Sequence, residues 1–153
     1  MNEQEDKGQD QQLGIGRWIH GEHLPYLQDV LERLPPGVRT EILNDKSLQV
    51  IEACGECHPG KFSPFPYPFK NLILIDKDRI KKAAKEGEIF LDEPLSLTQI
   101  EQIYFIAIIV HEFAHYWLEC KDKINNYDKQ ADDLAKEWKF KKEIDLFRKA
   151  EPQ

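Results

Sequence analysis

The sequence feature that most constrains the fold is an uninterrupted apolar run, residues 103–110, followed at once by His111-Glu-Phe-Ala-His115. A capping-box pattern, Thr98-Gln-Ile-Glu101, precedes the run, and apolar residues then recur every three or four positions as far as Leu118. This periodicity predicts one long helix over residues 98–119. Because apolar side chains also occupy its remaining faces, we expect this helix to be central and buried.

The first half of the chain predicts one helix and two strands. Residues 24–34 have apolar positions at helical spacing, and Pro35-Pro36-Gly37 is expected to end that helix. Residues 47–53 and the β-branched run 72–75 are predicted strands. Residues 54–70, which lie between the strands and are rich in glycine and proline, are predicted to form a loop.

Two further helices are predicted, so the chain is expected to be of the α+β class. A short helix is expected over residues 80–85, and a longer one begins near Tyr127, after a break at Asn125-Asn126. The inward face of the longer helix is predicted to carry Ala131, Leu134, Ala135 and Trp138.

Charge and length limit the class of protein. Lys and Arg number 21 against 28 Asp and Glu, so no nucleic-acid partner is expected, because phosphate binding needs a basic face. The longest apolar run is far shorter than the ~20 residues that span a bilayer, so no membrane partner is expected. We predict one domain over residues 13–153, after a polar, disordered tail at residues 1–12. This tail lacks a signal-peptide pattern, and a cytoplasmic location is expected.

The two histidines of the long helix are spaced for metal binding. His111 and His115 lie one turn apart on the same helical face, so both imidazoles can reach one Zn²⁺ ion. Glu112 lies about 100° round the helix, beside such an ion and able to take a proton from water bound to it. The alternative is a pair of hydrogen-bonded core histidines, although burying two imidazoles in so apolar a helix is costly without a partner.

A third ligand is expected from the next helix. Asp128 and Asp132 again share one helical face, so Asp128 can bind the metal while Asp132 hydrogen-bonds the free N–H of a ligating histidine. Asp132 or Asp133 is an alternative ligand. In a further interpretation, the two carboxylates only stabilise the N-terminus of their helix.

The pattern resembles a known family of metallopeptidases. His111-Glu-Phe-Ala-His115, followed by Asp128-x-x-Ala-Asp132, is similar to the gluzincin branch of the zincins and to its small single-domain minigluzincins. The metzincin branch is excluded, because its HxxGxxH extension does not follow. The resemblance covers residues 69–140 and implies a zincin-like fold, in which a small β-sheet packs on a central active-site helix and a second helix carries a ligand.

The resemblance also assigns roles to individual residues. It implies that His111, His115 and Asp128 bind zinc, that Glu112 is the general base, and that Asp132 supports a ligand from behind. Asp128 stands where the family usually has glutamate, so the second helix has to lie closer to the first.

The function implied by the resemblance is zinc-dependent hydrolysis of peptide bonds, through a zinc-bound water that Glu112 activates, with one Zn²⁺ per chain. The substrate is a peptide or protein, which the strand residues Leu72, Ile73 and Leu74 are expected to hold by β-augmentation. That strand can also be plain core sheet. The alternative function is a non-catalytic zinc-binding module of the same fold that binds a peptide or protein partner.

Three neighbouring residues, Cys54, Cys57 and His58, have the CxxCH spacing of covalent haem attachment. A c-type haem electron carrier is therefore a third candidate function, but haem attachment requires export. The cysteines can also be free thiols, part of a second zinc or redox site, or a thiolate that blocks the open zinc position. Tyr116 and Tyr127 flank the predicted ligands and are candidate donors to a developing oxyanion.

Overall fold

The computed structural model describes residues 24–52, 60–63, 71–92, 94–122 and 127–149. Across these residues the chain forms six α-helices and one three-stranded β-sheet, which confirms the predicted α+β class. The helices are α1 (Leu24–Arg33), α2 (Pro36–Asn44), α3 (Lys77–Gly87), α4 (Leu97–Trp117), α5 (Asp128–Ala135) and α6 (Lys141–Lys149). The strands are β1 (Leu48–Glu52), β2 (Gly60–Ser63) and β3 (Asn71–Ile75). A 3₁₀ turn spans Glu88–Phe90, and π-helical turns span Leu118–Asp122 and Lys136–Phe140.

Helix α4 forms the centre of the molecule, as its apolar faces predict. The helices α1, α3, α5 and α6 all pack against it, and so does the sheet. Its capping box, however, begins two residues earlier than predicted: Ser96 Oγ accepts from the Gln99 amide at 3.2 Å, and Gln99 Oε1 accepts from the Ser96 amide at 2.8 Å. Ser96-x-x-Gln99 also fits the capping-box pattern. Of the two possible capping boxes, the helix uses the one nearer the N-terminus.

The sheet has the order β1-β3-β2, with β1 parallel and β2 antiparallel to β3. Every residue of β3 is matched by β1, and Leu72, Ile73 and Leu74 are also matched by residues of β2. These three residues therefore lie in the middle strand, so the prediction that they hold a substrate by β-augmentation is wrong. The order of strands along the chain did not reveal that a later strand lies between two earlier ones.

The predicted loop at residues 54–70 is also corrected, because β2 lies inside it. This strand has only four residues, too few to show a hydrophobic alternation, and prolines follow it directly in the sequence. Strands this short, bounded by glycine and proline, resemble loops in sequence.

The helices α2 and α3 differ from the sequence prediction. Pro36 was expected to end a helix but instead begins α2, where its fixed φ and missing N–H suit the first helical position. Helix α3 extends beyond residues 80–85 in both directions. It begins after Asp76, whose carboxylate accepts from the amides of Asp78 and Arg79, each at 3.1 Å.

The chain reverses between α5 and α6 at Lys139, whose φ of 77° and ψ of 29° lie in the left-handed region. The reversal brings α6 back against α4 and α5. Ala131, Ala135 and Trp138 of the predicted inward face are buried, and Leu134 is half-buried against the core. The left-handed residue Lys139 therefore lies where the chain turns from α5 into α6.

Several predictions concern residues outside the described part of the chain. These are the tail at residues 1–12, the Cys54, Cys57 and His58 motif, and the break at Asn125-Asn126. Among the described helices, none combines the length and apolar character that crossing a membrane requires.

Candidate metal centre

The two histidines of α4 meet on one face of the helix, as their spacing predicts. The imidazoles of His111 and His115 are nearly perpendicular, with ring centroids 4.5 Å apart. Their Nε2 atoms are 3.0 Å apart. Both rings therefore present one nitrogen to the same point beside the helix.

Asp128, the first residue of α5, brings an oxygen to that point. Its Oδ1 lies 3.0 Å from His115 Nε2 and 3.3 Å from His111 Nε2. Aspartate therefore reaches both histidines from α5, although its side chain is one methylene shorter than the glutamate usual in gluzincins.

The three donor atoms form a group that could hold a metal ion. In a tetrahedral site with bonds of about 2.0–2.1 Å, neighbouring donors lie about 3.3–3.4 Å apart. The observed separations of 3.0, 3.0 and 3.3 Å are close to that spacing. Only small side-chain movements would be needed to place an ion between His111, His115 and Asp128.

One side of this group faces solvent. The His111 side chain is 8% exposed, whereas that of Asp128 is 77% exposed. A metal ion at this position would therefore be bound on one side by side chains of α4 and lie close to solvent on the other.

Asp132 lies behind His111. Its Oδ1 is 2.8 Å from His111 Nδ1, so Nδ1–H donates to the carboxylate. When the ring is neutral, this contact leaves the Nε2 lone pair facing His115 and Asp128. Asp133, by contrast, makes a salt bridge with Lys129 on the exposed face of α5. Of the three candidate aspartates, only Asp128 belongs to the donor group.

The same contacts also explain how the site is satisfied without a metal ion. Burial alone would lower the pKa of His111, but hydrogen bonds with Asp128 and Asp132 outweigh it and raise this pKa to about 9. Without a metal ion, His111 can therefore be an imidazolium between two carboxylates. This arrangement corresponds to the alternative in which the histidines are hydrogen-bonded core residues. Hydrogen bonding with His111 keeps the pKa of Asp128 well below its usual range.

Glu112 is buried under strand β2. The residue is 5% exposed, and the backbone amide of Phe62 hydrogen-bonds its carboxylate. A Cβ at Gly60 would lie 2.5 Å from Ile108 Cγ2 and 3.1 Å from Glu112 Oε2, so glycine lets the strand come this close to α4. Burial raises the pKa of Glu112, and the two neighbouring histidines partly oppose that rise.

The two tyrosines next to the donor residues differ in their surroundings. Tyr116 is fully buried, and its hydroxyl donates to Asp45. It is therefore bonded to Asp45 and not directed to the metal centre. Tyr127, which precedes α5, is 64% exposed.

Sequence reasoning missed three residues around the site: Gly60, Phe62 and Arg148. The first two lie in β2, which was predicted to be loop, although a glycine within a strand is a weak sign of close backbone approach. Arg148 donates to Asp132 from α6. No local pattern signals that contact, because it depends on the reversal of the chain at Lys139.

No protein-family model, curated protein or solved structure matches the chain. The candidate metal centre is therefore interpreted from its own geometry and chemistry.

Proposed function

We propose that this protein is a zinc-dependent metallopeptidase with a zincin-like fold, in which His111, His115 and Asp128 bind one Zn²⁺ ion. The observation that carries the proposal is the convergence of three donor atoms within 3.0–3.3 Å of one another. Two imidazole nitrogens and one carboxylate oxygen, with one side open, are one of the ligand sets found in catalytic zinc sites. Glu112, the residue after the first histidine, supplies a carboxylate that is not part of the donor set.

Each residue of the site has a separate task in the proposed reaction. Bound zinc would polarise the carbonyl of the scissile peptide bond and lower the pKa of a water molecule. Glu112 accepts the proton of the attacking water and passes it to the leaving amine. Asp132 keeps His111 in the tautomer whose Nε2 lone pair faces the donor group.

The peptide is expected to bind beside β2 and not at the middle strand. Among the described strands, β2 is paired on one side only, with β3, and it runs directly over Glu112. An extended peptide can add to the other edge of such a strand through main-chain hydrogen bonds. Its scissile bond would then lie near both Glu112 and the donor group.

Metal analysis and substitutions of the site residues test the proposal. The purified protein should contain about one zinc per chain, and His111→Ala or His115→Ala should remove it. Glu112→Gln should keep the zinc but lower hydrolysis of casein or a peptide library by about 10²–10⁴-fold, because Gln cannot accept the proton. Glu101→Gln, the same change at the other end of α4, is the matched control and should leave both unchanged. Metal-free wild-type protein with an intact fold would refute the proposal.

The alternative, a non-catalytic zinc-binding module that binds a peptide or protein, has one observation in its favour. The side chain of Glu112 is buried, and its carboxylate already accepts a hydrogen bond from the Phe62 amide. If zinc-loaded wild type cleaves no substrate, and Glu112→Gln changes neither zinc content nor peptide binding, the module is the better account.

A further inference from the structure

We propose that Arg148 of α6 is a positioning residue of the metal centre, which holds Asp132 so that Asp132 in turn holds His111. The inference rests on the proposed function, since it concerns the same zinc site. It goes beyond the sequence motif, because Arg148 lies 16 residues after Asp132 and outside the helix that carries the carboxylate.

Arg148 and Asp132 form a bidentate salt bridge. Arg148 Nε donates to Asp132 Oδ2 at 2.7 Å, and Nη2 donates to Oδ1 at 3.1 Å. Such parallel hydrogen bonds fix the plane of a carboxylate as well as its position. Oδ1 is also the atom that accepts from His111 Nδ1. The guanidinium therefore sets the direction from which Asp132 meets the imidazole.

One aromatic ring, that of Phe147, lies against the Arg148 guanidinium. The Cζ atom of Arg148 lies 5.2 Å from the ring centroid of Phe147. Phe147 makes an edge contact with Tyr104 of α4, with centroids 5.0 Å apart. Tyr104 precedes His111 by two helical turns, so it lies on the same face of α4. Helix α4 thus carries both His111 and the tyrosine that packs against the neighbour of Arg148.

The beginning of α6 is anchored by a second pair of the same kind. Arg33 Nη1 donates to Glu143 Oε2 at 2.8 Å, and Nη2 donates to Glu143 Oε1 at 3.1 Å. This pair joins α6 to α1 and contacts neither Asp132 nor the donor group. It therefore offers a control that loosens the same helix without touching the carboxylate behind His111.

Arg148 could act through geometry or only through charge, and the two have opposite consequences. Burial alone would raise the pKa of Asp132, but hydrogen bonds from His111 and Arg148 outweigh it and lower this pKa, so Asp132 is ionised. Removing a positive charge near a cation site would by itself strengthen zinc binding. If the carboxylate of Asp132 were free to rotate, zinc binding would weaken, because partners of ligating groups typically contribute about 10–100-fold to metal affinity. We expect the geometric effect to dominate.

The test compares zinc dissociation constants of the full chain, measured by competition with a chromophoric chelator. Arg148→Gln and Arg148→Lys should both bind zinc about tenfold more weakly, because neither residue can hold two carboxylate oxygens in one plane. Arg33→Gln should stay within about twofold of wild type, since it leaves Asp132 untouched. Thermal unfolding of each metal-free variant checks the fold, and the Lys variant covers the case in which the Gln variant does not fold.

A double-mutant cycle separates positioning from a general structural role. In an Asp132→Ala background, Arg148→Gln should cause no further loss of zinc affinity, because Arg148 acts through that carboxylate. Equal losses with and without Asp132, wild-type affinity in Arg148→Lys, or an equal loss in Arg33→Gln would each overturn the inference. Wild-type protein that binds no zinc would refute the proposed function itself, so the two failures are distinguishable.

Discussion

Replacing Gly60 with alanine tests whether β2 lies directly on the proposed general base. A Cβ at this position would lie 2.5 Å from Cγ2 of Ile108 and 3.1 Å from Oε2 of Glu112. The first distance is shorter than real Cβ contacts, so either the strand or the Ile108 side chain has to move. Adding a methyl group to a well-packed site costs about 1–3 kcal/mol. We expect Gly60→Ala to lower the free energy of unfolding by that amount.

Activity should fall as well, for a reason separate from stability. The strand that shifts also carries the Phe62 amide, which hydrogen-bonds Glu112. Misplacing a reacting group by about 1 Å can cost on the order of 100-fold in rate. Peptide hydrolysis by folded Gly60→Ala should therefore fall by up to about 100-fold. Its zinc content should match wild type, because the added methyl group meets Ile108 and Glu112 and not the donor atoms.

The chain offers a matched control in Gly37. No atom lies within 4 Å of a Cβ built there, and the residue is in helix α2. Gly37→Ala should stabilise the protein by at most about 0.5–1 kcal/mol, which is the cost of glycine in the middle of a helix, because Gly37 is the second residue of α2. Urea unfolding of both variants gives the two free-energy changes, and an unchanged slope shows that only stability differs.

Substituting Ile108 as well tests whether the strain in Gly60→Ala arises from the contact with Ile108. Ile108→Ala alone should cost about 2–5 kcal/mol through the cavity it leaves. The methyl group added at position 60 would occupy part of that cavity, so the double variant should be more stable than the sum of the single changes predicts. If Gly60→Ala unfolds at the wild-type urea concentration, or if the two changes simply add, β2 does not lie against Ile108 as described, and its position over Glu112 is refuted with it.

Three further predictions concern the backbone, the polar interior and the metal ligands. Lys139→Gly should raise the free energy of unfolding by up to about 1–2 kcal/mol, because a left-handed residue with a side chain is strained, and a lower urea midpoint would contradict that conformation. Burial raises the pKa of Asp45, but hydrogen bonds from Ser47 and Tyr116 lower it below its usual 3.8. The stability that this carboxylate contributes is therefore present above about pH 4 and lost as the pH falls through its folded pKa. The stability difference between wild type and Asp45→Asn should accordingly shrink in urea titrations below about pH 4, and a constant difference would exclude this role. Asp128→Ala should weaken zinc binding more than Asp132→Ala, which should cost only about 10–100-fold, and the reverse order in a chelator competition would make Asp132 the ligand.

Local sequence was enough to place the histidines and their helix. An α-helix puts residues four apart on one face, so His111 and His115 meet wherever that helix lies in the fold. The apolar run before them predicted correctly that α4 is central and buried. Helix starts were less predictable, since Ser96 and Thr98 both begin acceptable caps and Pro36 could end one helix or begin another.

The third donor depended on tertiary structure. Spacing placed Asp128 and Asp132 on one face of α5, but it left open which aspartate meets the histidines. That choice follows from how α5 packs against α4, which puts Asp128 Oδ1 beside both Nε2 atoms and Asp132 behind His111. Packing between helices is a property of distant residues, so no local pattern contains it.

The sheet and the last helix show the same limit. Leu72, Ile73 and Leu74 were correctly predicted as strand residues, yet their place in the middle of the sheet depends on which strands flank them. Arg148 reaches Asp132 only because the chain reverses at Lys139, a residue type that does not signal a left-handed turn. Sequence by itself determined the local periodicities and therefore the histidine pair. Contacts between distant segments decided which carboxylate joins that pair, which strand covers Glu112 and which arginine stands behind the site, because their free energies depend on the packing of the whole chain.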